Sequence, residues 1–291
     1  MPYLDTVRLD YIDRDGHDAP FAAAPQIRCV YLSGIGADFN VNSFNWSSLE
    51  HLTIAGPGVA FIPCMAMLAE SRNLLSLKLT LNGLTHEYME TWWGQAHPGP
   101  RYEKLHTLEV ELDAMGVDFS FFTDWVFLPA LRHLRVVGNI EFYSDIVSMI
   151  SRDGCQLAYY LGNDWFTTGQ ELLKVFRAMP DLRILEMGGK WGAVWEFDKN
   201  VVERMTFTAG QPLDVQEYVL PKLESLAIHV TPNCYPQLVE AMLASRSNMG
   251  GEAPPTRLQY AQVGLHRWSI RDGGEPIREV DSVMHDPYGP F

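Results

Sequence analysis

The sequence predicts an α/β solenoid, with short parallel strands alternating with helices and irregular turns. Three observations carry that prediction. A six-residue apolar template, L-x-x-L-x-L, recurs along almost the whole chain. Its copies begin 20 to 35 residues apart, about 25 on average, close to the ~20–29 residue period of a leucine-rich repeat. Several intervals hold an amphipathic segment long enough for a short helix. A chain of 291 residues is long for one compact core, but a solenoid grows in one dimension and each unit packs only on its neighbours.

Taken in order, the copies are LDTVRL from Leu4, IRCVYL from Ile27, LEHLTI from Leu49, LLSLKL from Leu74, LHTLEV from Leu105 and LRHLRV from Leu131. A degenerate LAYYLG follows from Leu157, then LRILEM from Leu182, VERMTF from Val202, LESLAI from Leu223 and LQYAQV from Leu258. That makes about eleven repeats in a single domain over residues 1–280. Positions four and six share a face because strand side chains alternate with period two, so each hexamer reads as a strand. Pro129, Pro180 and Pro221 stand two residues before a hexamer. There proline ends the preceding helix and sets an extended lead-in.

Helical spacing is present at 64–73, 86–96, 141–154, 168–179 and 236–247. Gly154 is placed as a C-cap and Thr168 as an N-cap. Strand, turn and helix in alternation give a parallel sheet. With helices on one side only, the units curve into a horseshoe, the sheet concave and the helices and irregular turns convex. Asp198–Phe207 leaves no room for a full helix, so the units around Val202 are expected to be short and irregular. Residues 92–102 read as an insertion and 247–256 as a loop. The tail after Val263, including 268–274, is expected to cap the open end of the sheet, and 281–291 to be a flexible tail.

Composition excludes several functions. The formal net charge is −14, and no basic stripe offers itself to a phosphate backbone or an anionic membrane. Cys29, Cys64, Cys155 and Cys234 are dispersed without a C-x-x-C pair, which suits reduced thiols in the cytoplasm or nucleus. The N-terminus has neither the basic nor the apolar region of a signal peptide. No apolar run approaches the ~18 residues of a membrane helix. The Asn45-Trp46-Ser47 sequon carries no weight without a secretory route. The histidines lack metal-ligand spacing, GGKWG (188–192) lacks the phosphate-loop frame, and the carboxylates define no acid/base pair. The reading is therefore a binding protein, with no enzyme activity and no cofactor.

The strand positions between the core residues face the concave side, where a protein or peptide partner would lie. Lys78, Glu109, Arg135, Glu186 and Arg204 are the charged candidates on that face. Trp191 and Trp195, on a glycine-rich turn just after a strand, are candidate contacts because tryptophan is favoured at interaction hot spots.

The cadence of LPALRHLRV (128–136), MPDLRILEM (179–187) and LPKLESLAI (220–228), with the tail LHRWSIRDGGEP (265–276), resembles the leucine-rich-repeat regions of fungal, basidiomycete-type F-box proteins over about residues 1–275. The resemblance implies the substrate-recognition repeats of a ubiquitin ligase component, holding a protein substrate. A Skp-type adaptor is implied only where an F-box precedes the chain, which itself opens on a repeat. The alternative is a free-standing scaffold or inhibitor with no ligase role. The matching residues are structural leucines, so no functional residue carries over.

Overall fold

We describe the protein from a computed structural model over residues 5–12, 24, 26–36, 39–56, 61–82, 99–113, 119–138, 143–162, 168–188, 199–207, 218–228, 236–247, 257–264, 266–270 and 276–280. The expected helix at 86–96, most of the insertion at 92–102, the loop at 248–256 and the tail at 281–291 lie outside these residues, as do Trp191, Trp195 and Cys234. The chain is α/β, with a mostly parallel sheet, and divides into two compact units, Met1–Cys155 and Gln156–Phe291.

In the first unit the strands are β1 (Thr6–Ile12), β2 (Cys29–Ile35), β3 (His51–Ala55), β4 (Ser76–Asn82), β5 (Thr107–Asp113) and β6 (His133–Gly138). Each pairs in parallel with the next, in chain order. Their crossovers carry α1 (Phe61–Glu70) and the short α2 (Ser120–Thr123), and α3 (Tyr143–Asp153) follows β6. In the second unit β7 (Tyr159–Gly162), β8 (Ile184–Met187), β9 (Ser225–Ile228) and β10 (Tyr260–Val263) are parallel neighbours. The helices α4 (Gly169–Ala178), α5 (Lys199–Met205) and α6 (Pro236–Ser247) lie between them in sequence. The tail supplies β11 (His266–Ile270) and β12 (Pro276–Val280), which add to β10 as antiparallel strands.

The same local device opens most of the described repeats. The leucine at position one is fully buried in Leu49, Leu74, Leu105, Leu131, Leu182, Leu223 and Leu258. A single carbonyl of the preceding repeat then accepts the next two backbone N–H groups. Arg28 O takes Glu50 N and His51 N, both at 2.9 Å, and His106 O takes Arg132 N and His133 N at 3.0 and 2.9 Å. This shared acceptor sets the register of every following pair.

The prolines act more tightly than an extended lead-in. Leu131, Leu182 and Leu223 donate their N–H to the carbonyls of Leu128, Met179 and Leu220, at 3.1, 3.1 and 3.2 Å. Pro129, Pro180 and Pro221 therefore occupy the second position of a hydrogen-bonded turn, where a fixed φ near −65° is pre-set.

Helix signals at three sites match what forms. Gly154 takes φ +68° and its N–H reaches Ile150 O at 2.9 Å, closing α3. Thr168 and Glu171 form a reciprocal capping box at the start of α4. Residues 236–247 form α6 as expected.

The hexamer at Val202 is not a strand. VERMTF has apolar residues at i and i+3, a spacing that a helix satisfies as well as the template does. Val201, Val202 and Met205 are buried on one side of α5. The chain thus passes from β8 directly to β9, with Glu224 N and Ser225 N bonding Arg183 O at 2.8 and 3.0 Å. The two short units expected around Val202 are one long unit.

Buried polar groups tie helices to the lead-in turns. Tyr102 in the first unit donates its hydroxyl to Leu68 O at 2.6 Å, near the C-terminus of α1, and burial raises its pKa. Arg246 in the second unit is fully buried, donating to Met205 O, Leu220 O and Val219 O at 3.0 to 3.2 Å and lying 4.6 Å from the Phe207 ring centre. Burial pushes this guanidinium down to about 9.

Candidate partner-binding face

The alternation of core and spacer residues gives the sheet of the first unit two unlike faces. Val7, Val30, Leu52, Leu77, Leu108 and Leu134 are buried, as are Leu32, Ile54, Leu79, Val110 and Val136. Every described strand residue that points the other way is half-buried or exposed. Register places those outward residues in rows. One row runs Thr6, Cys29, His51, Ser76, Thr107, His133, and the next runs Arg8, Tyr31, Thr53, Lys78, Glu109, Arg135. At about 4.8 Å between strands, six strands span roughly 24 Å.

Three of the expected charged residues come together here. Glu109 Oε2 lies 3.3 Å from Lys78 Nζ and 3.9 Å from Arg135 Nη1. At the far end of the row Arg8 lies 4.6 Å from the centre of the Tyr31 ring and pairs with Asp10 at 3.0 Å. These are exposed or half-exposed contacts, each worth a fraction of a kcal/mol to about 1 kcal/mol in stability. Their interest is the chemistry they present to solvent.

Glu186 belongs to the second unit, on β8. Its row is Leu161, Glu186, Ala227, Gln262, with Leu161 and Ala227 buried, so this face is more apolar than that of the first unit. Gln262 Oε1 accepts from Tyr260 Oη and Arg267 Nε, at 2.8 and 3.2 Å.

Arg204 does not join a strand face. It lies on α5, exposed, because the hexamer that placed it is helical.

Two features of the face were not anticipated. The strands of the first unit run past position six, which adds a third outward row through Thr80, Glu111 and Val137. The signal was the continued alternation in LKLTLN and LEVELD. A second row of contacts lines the rim at position two, where Arg28 pairs with Glu50 at 3.2 Å. In the second unit Arg183 pairs with Glu224 in the same way, at 3.6 Å.

Among the described residues no group of three or more His, Cys, Asp or Glu side chains is placed to hold a metal ion. Cys29, Cys64 and Cys155 are free thiols. Burial pushes Cys64 up to about 12 and Cys155 to about 11, which removes both from thiolate chemistry near neutrality. A cleft of about 640 Å³ lies among the crossover segments of the first unit, lined by Phe44, Trp46, Ala66, Glu70, Arg72 and Trp125. No described helix is long and apolar enough to cross a membrane.

No protein-family model and no curated protein matches the chain. Among solved structures it is similar to a crystal structure of a Bacteroides fragilis protein, at 16% identity and a TM-score of 0.38. The match covers 64% of this chain and spans 59% of the length of that protein.

Proposed function

We propose that the chain is a leucine-rich-repeat horseshoe that binds a protein partner on the open face of its sheet, as the substrate-recognition repeats of an F-box-type ubiquitin ligase component do. One observation carries the reading: across all six strands of the first unit, an in-register polar face is left to solvent while the opposite face is buried. A face of this kind exposes hydrogen-bonding and charged groups that cost the fold little to vary, which suits recognition better than support. Its width favours a peptide or protein surface over a small molecule. The proposed site of action is the cytoplasm or nucleus.

The test is affinity purification from the native cell type, with tagged wild type beside a Tyr31→Glu/Thr53→Arg variant. Both positions are half-buried and point outward. A partner retained by the wild type and lost by a variant with unchanged circular dichroism supports the face as the binding surface. Partners held equally by both, or none held by the wild type, overturn it. A Skp-type adaptor among the partners supports membership of a ligase. Partners without an adaptor favour the free-standing scaffold.

A further inference from the structure

We propose that the part of this face over β4–β6 takes an acidic peptide segment of the partner, a proposal that rests on the face being the binding surface. The chain as a whole is acidic, with 36 Asp and Glu against 22 Lys and Arg. Over β4–β6 the charges balance, with Lys78, Arg132 and Arg135 against Glu109, Glu111 and Asp113, and the bases are gathered towards β6. The β6 hexamer carries Arg132, His133 and Arg135 and no acid, and His106 stands beside Arg132 on the rim. Glu109 is shared between Lys78 and Arg135, so the trio keeps a net positive charge and its two cations are held side by side.

Arg135 is the decisive group. Its only ion-pair contact among the described residues, at 3.9 Å, is too long for a hydrogen bond, and among those residues it makes none. Its side chain is only 26% exposed. A guanidinium that is already partly desolvated, with its planar donor fork unused, matches a carboxylate in two-point geometry. Lys78 Nζ has three N–H groups, of which Glu109 engages one.

Spacing sets the ligand. Lys78 and Arg135 stand two strands apart, roughly 10 Å. Alternate side chains of an extended peptide are about 6.7 Å apart, so acidic residues at i and i+2 can reach both through these long, flexible groups. Glu111, one row on between Thr80 and Val137, repels a carboxylate placed there and confines the acids to the Lys78–Arg135 row.

The probe is a fluorescein-labelled hexaglutamate peptide, with hexalysine as the control of sign, read by anisotropy at low salt. The wild type should bind hexaglutamate in spite of its net charge of −14, and added salt should weaken the binding. Lys78→Glu/Arg135→Glu should weaken it about tenfold, and Glu109→Gln should tighten it about threefold. If the charge-reversed pair fails to fold by circular dichroism, Lys78→Gln/Arg135→Gln must show the loss instead. No binding by the wild type, equal binding by the variants, or preference for hexalysine overturns the proposal. Partner capture that survives Lys78→Glu/Arg135→Glu but not Tyr31→Glu/Thr53→Arg overturns this inference alone. Capture that fails with the wild type overturns the binding face itself.

Discussion

Leu185→Asp, set against Ile184→Asp, tests the alternation on which the face depends. Leu185 is fully buried in β8, in register between Tyr160 and Leu226, both also buried. Ile184 is the next residue on the same strand, points to the opposite side and is half-buried. Truncating a buried leucine costs about 2.7–5 kcal/mol through lost transfer energy and the cavity left behind. Placing a carboxyl group in that cavity adds about 1–3 kcal/mol even when it protonates to avoid a buried charge. The sum, about 4–8 kcal/mol, is comparable with the whole stability of a typical domain, about 5–15 kcal/mol. Ile184→Asp loses only part of a transfer term, about 1 kcal/mol. Urea denaturation followed by far-ultraviolet circular dichroism reads both. Leu185→Asp should be largely unfolded without denaturant, and Ile184→Asp should unfold at a slightly lower midpoint with the same slope. Two variants within about 1 kcal/mol of each other would mean that residues 184 and 185 do not face opposite sides of a sheet.

Two further perturbations probe the first unit. A Cβ built on Gly99 would overlap the backbone oxygen of Trp125, so Gly99→Ala must displace backbone. We expect about 3 kcal/mol of destabilisation, measured by thermal melting, and an unchanged melting temperature would refute the close approach of these segments. Alkaline pH should expose the burial of Cys64, whose pKa is about 12 in the folded chain against 9.0 for an ordinary thiol. Between those values the folded state keeps a proton that the unfolded state has lost, so stability falls as pH rises through the window and is unaffected by this group below pH 9. The slope is on the order of 1 kcal/mol per pH unit. Cys64→Ala should make that limb shallower, leaving the contributions of Cys155 and Tyr102, whose pKa values burial also raises, and an equally steep limb in both proteins would place the Cys64 thiol in contact with water.

The fold was legible where one spacing admits one structure. L-x-x-L-x-L with apolar residues at both four and six specifies a strand with a buried side, and ten of the eleven hexamers form strands. The exception shows the limit of the template. In VERMTF the pair Val202 and Met205 is also an i, i+3 pair, and nothing local separates the two readings. The structure decides for the helix, with Val201, Val202 and Met205 buried together on one side of α5. The prolines were legible as breaks, but the turn they initiate depends on a carbonyl three residues back and so on the chain's path. Buried Arg246 gave no signal, because its three acceptors come from α5 and the lead-in turn to β9.

The site was legible in a different sense. Lys78, Glu109 and Arg135 are far apart in sequence, yet each holds position five of its hexamer. Aligning the hexamers is equivalent to aligning the strands, because one shared carbonyl per repeat fixes the pairing. Equal position therefore became equal height on the sheet, and the three charges met. What alignment cannot supply is distance. Glu109 contacts Lys78 more closely than Arg135, and only that difference leaves the guanidinium with donors to spare. The same device separates folding from recognition. Positions one, four and six are held by burial, where a single polar atom costs kcal/mol. In the first unit positions three and five face water, where most substitutions shift stability by less than about 0.5 kcal/mol. A partner can then be changed by rewriting the outward rows while the leucines that set their register stay as they are.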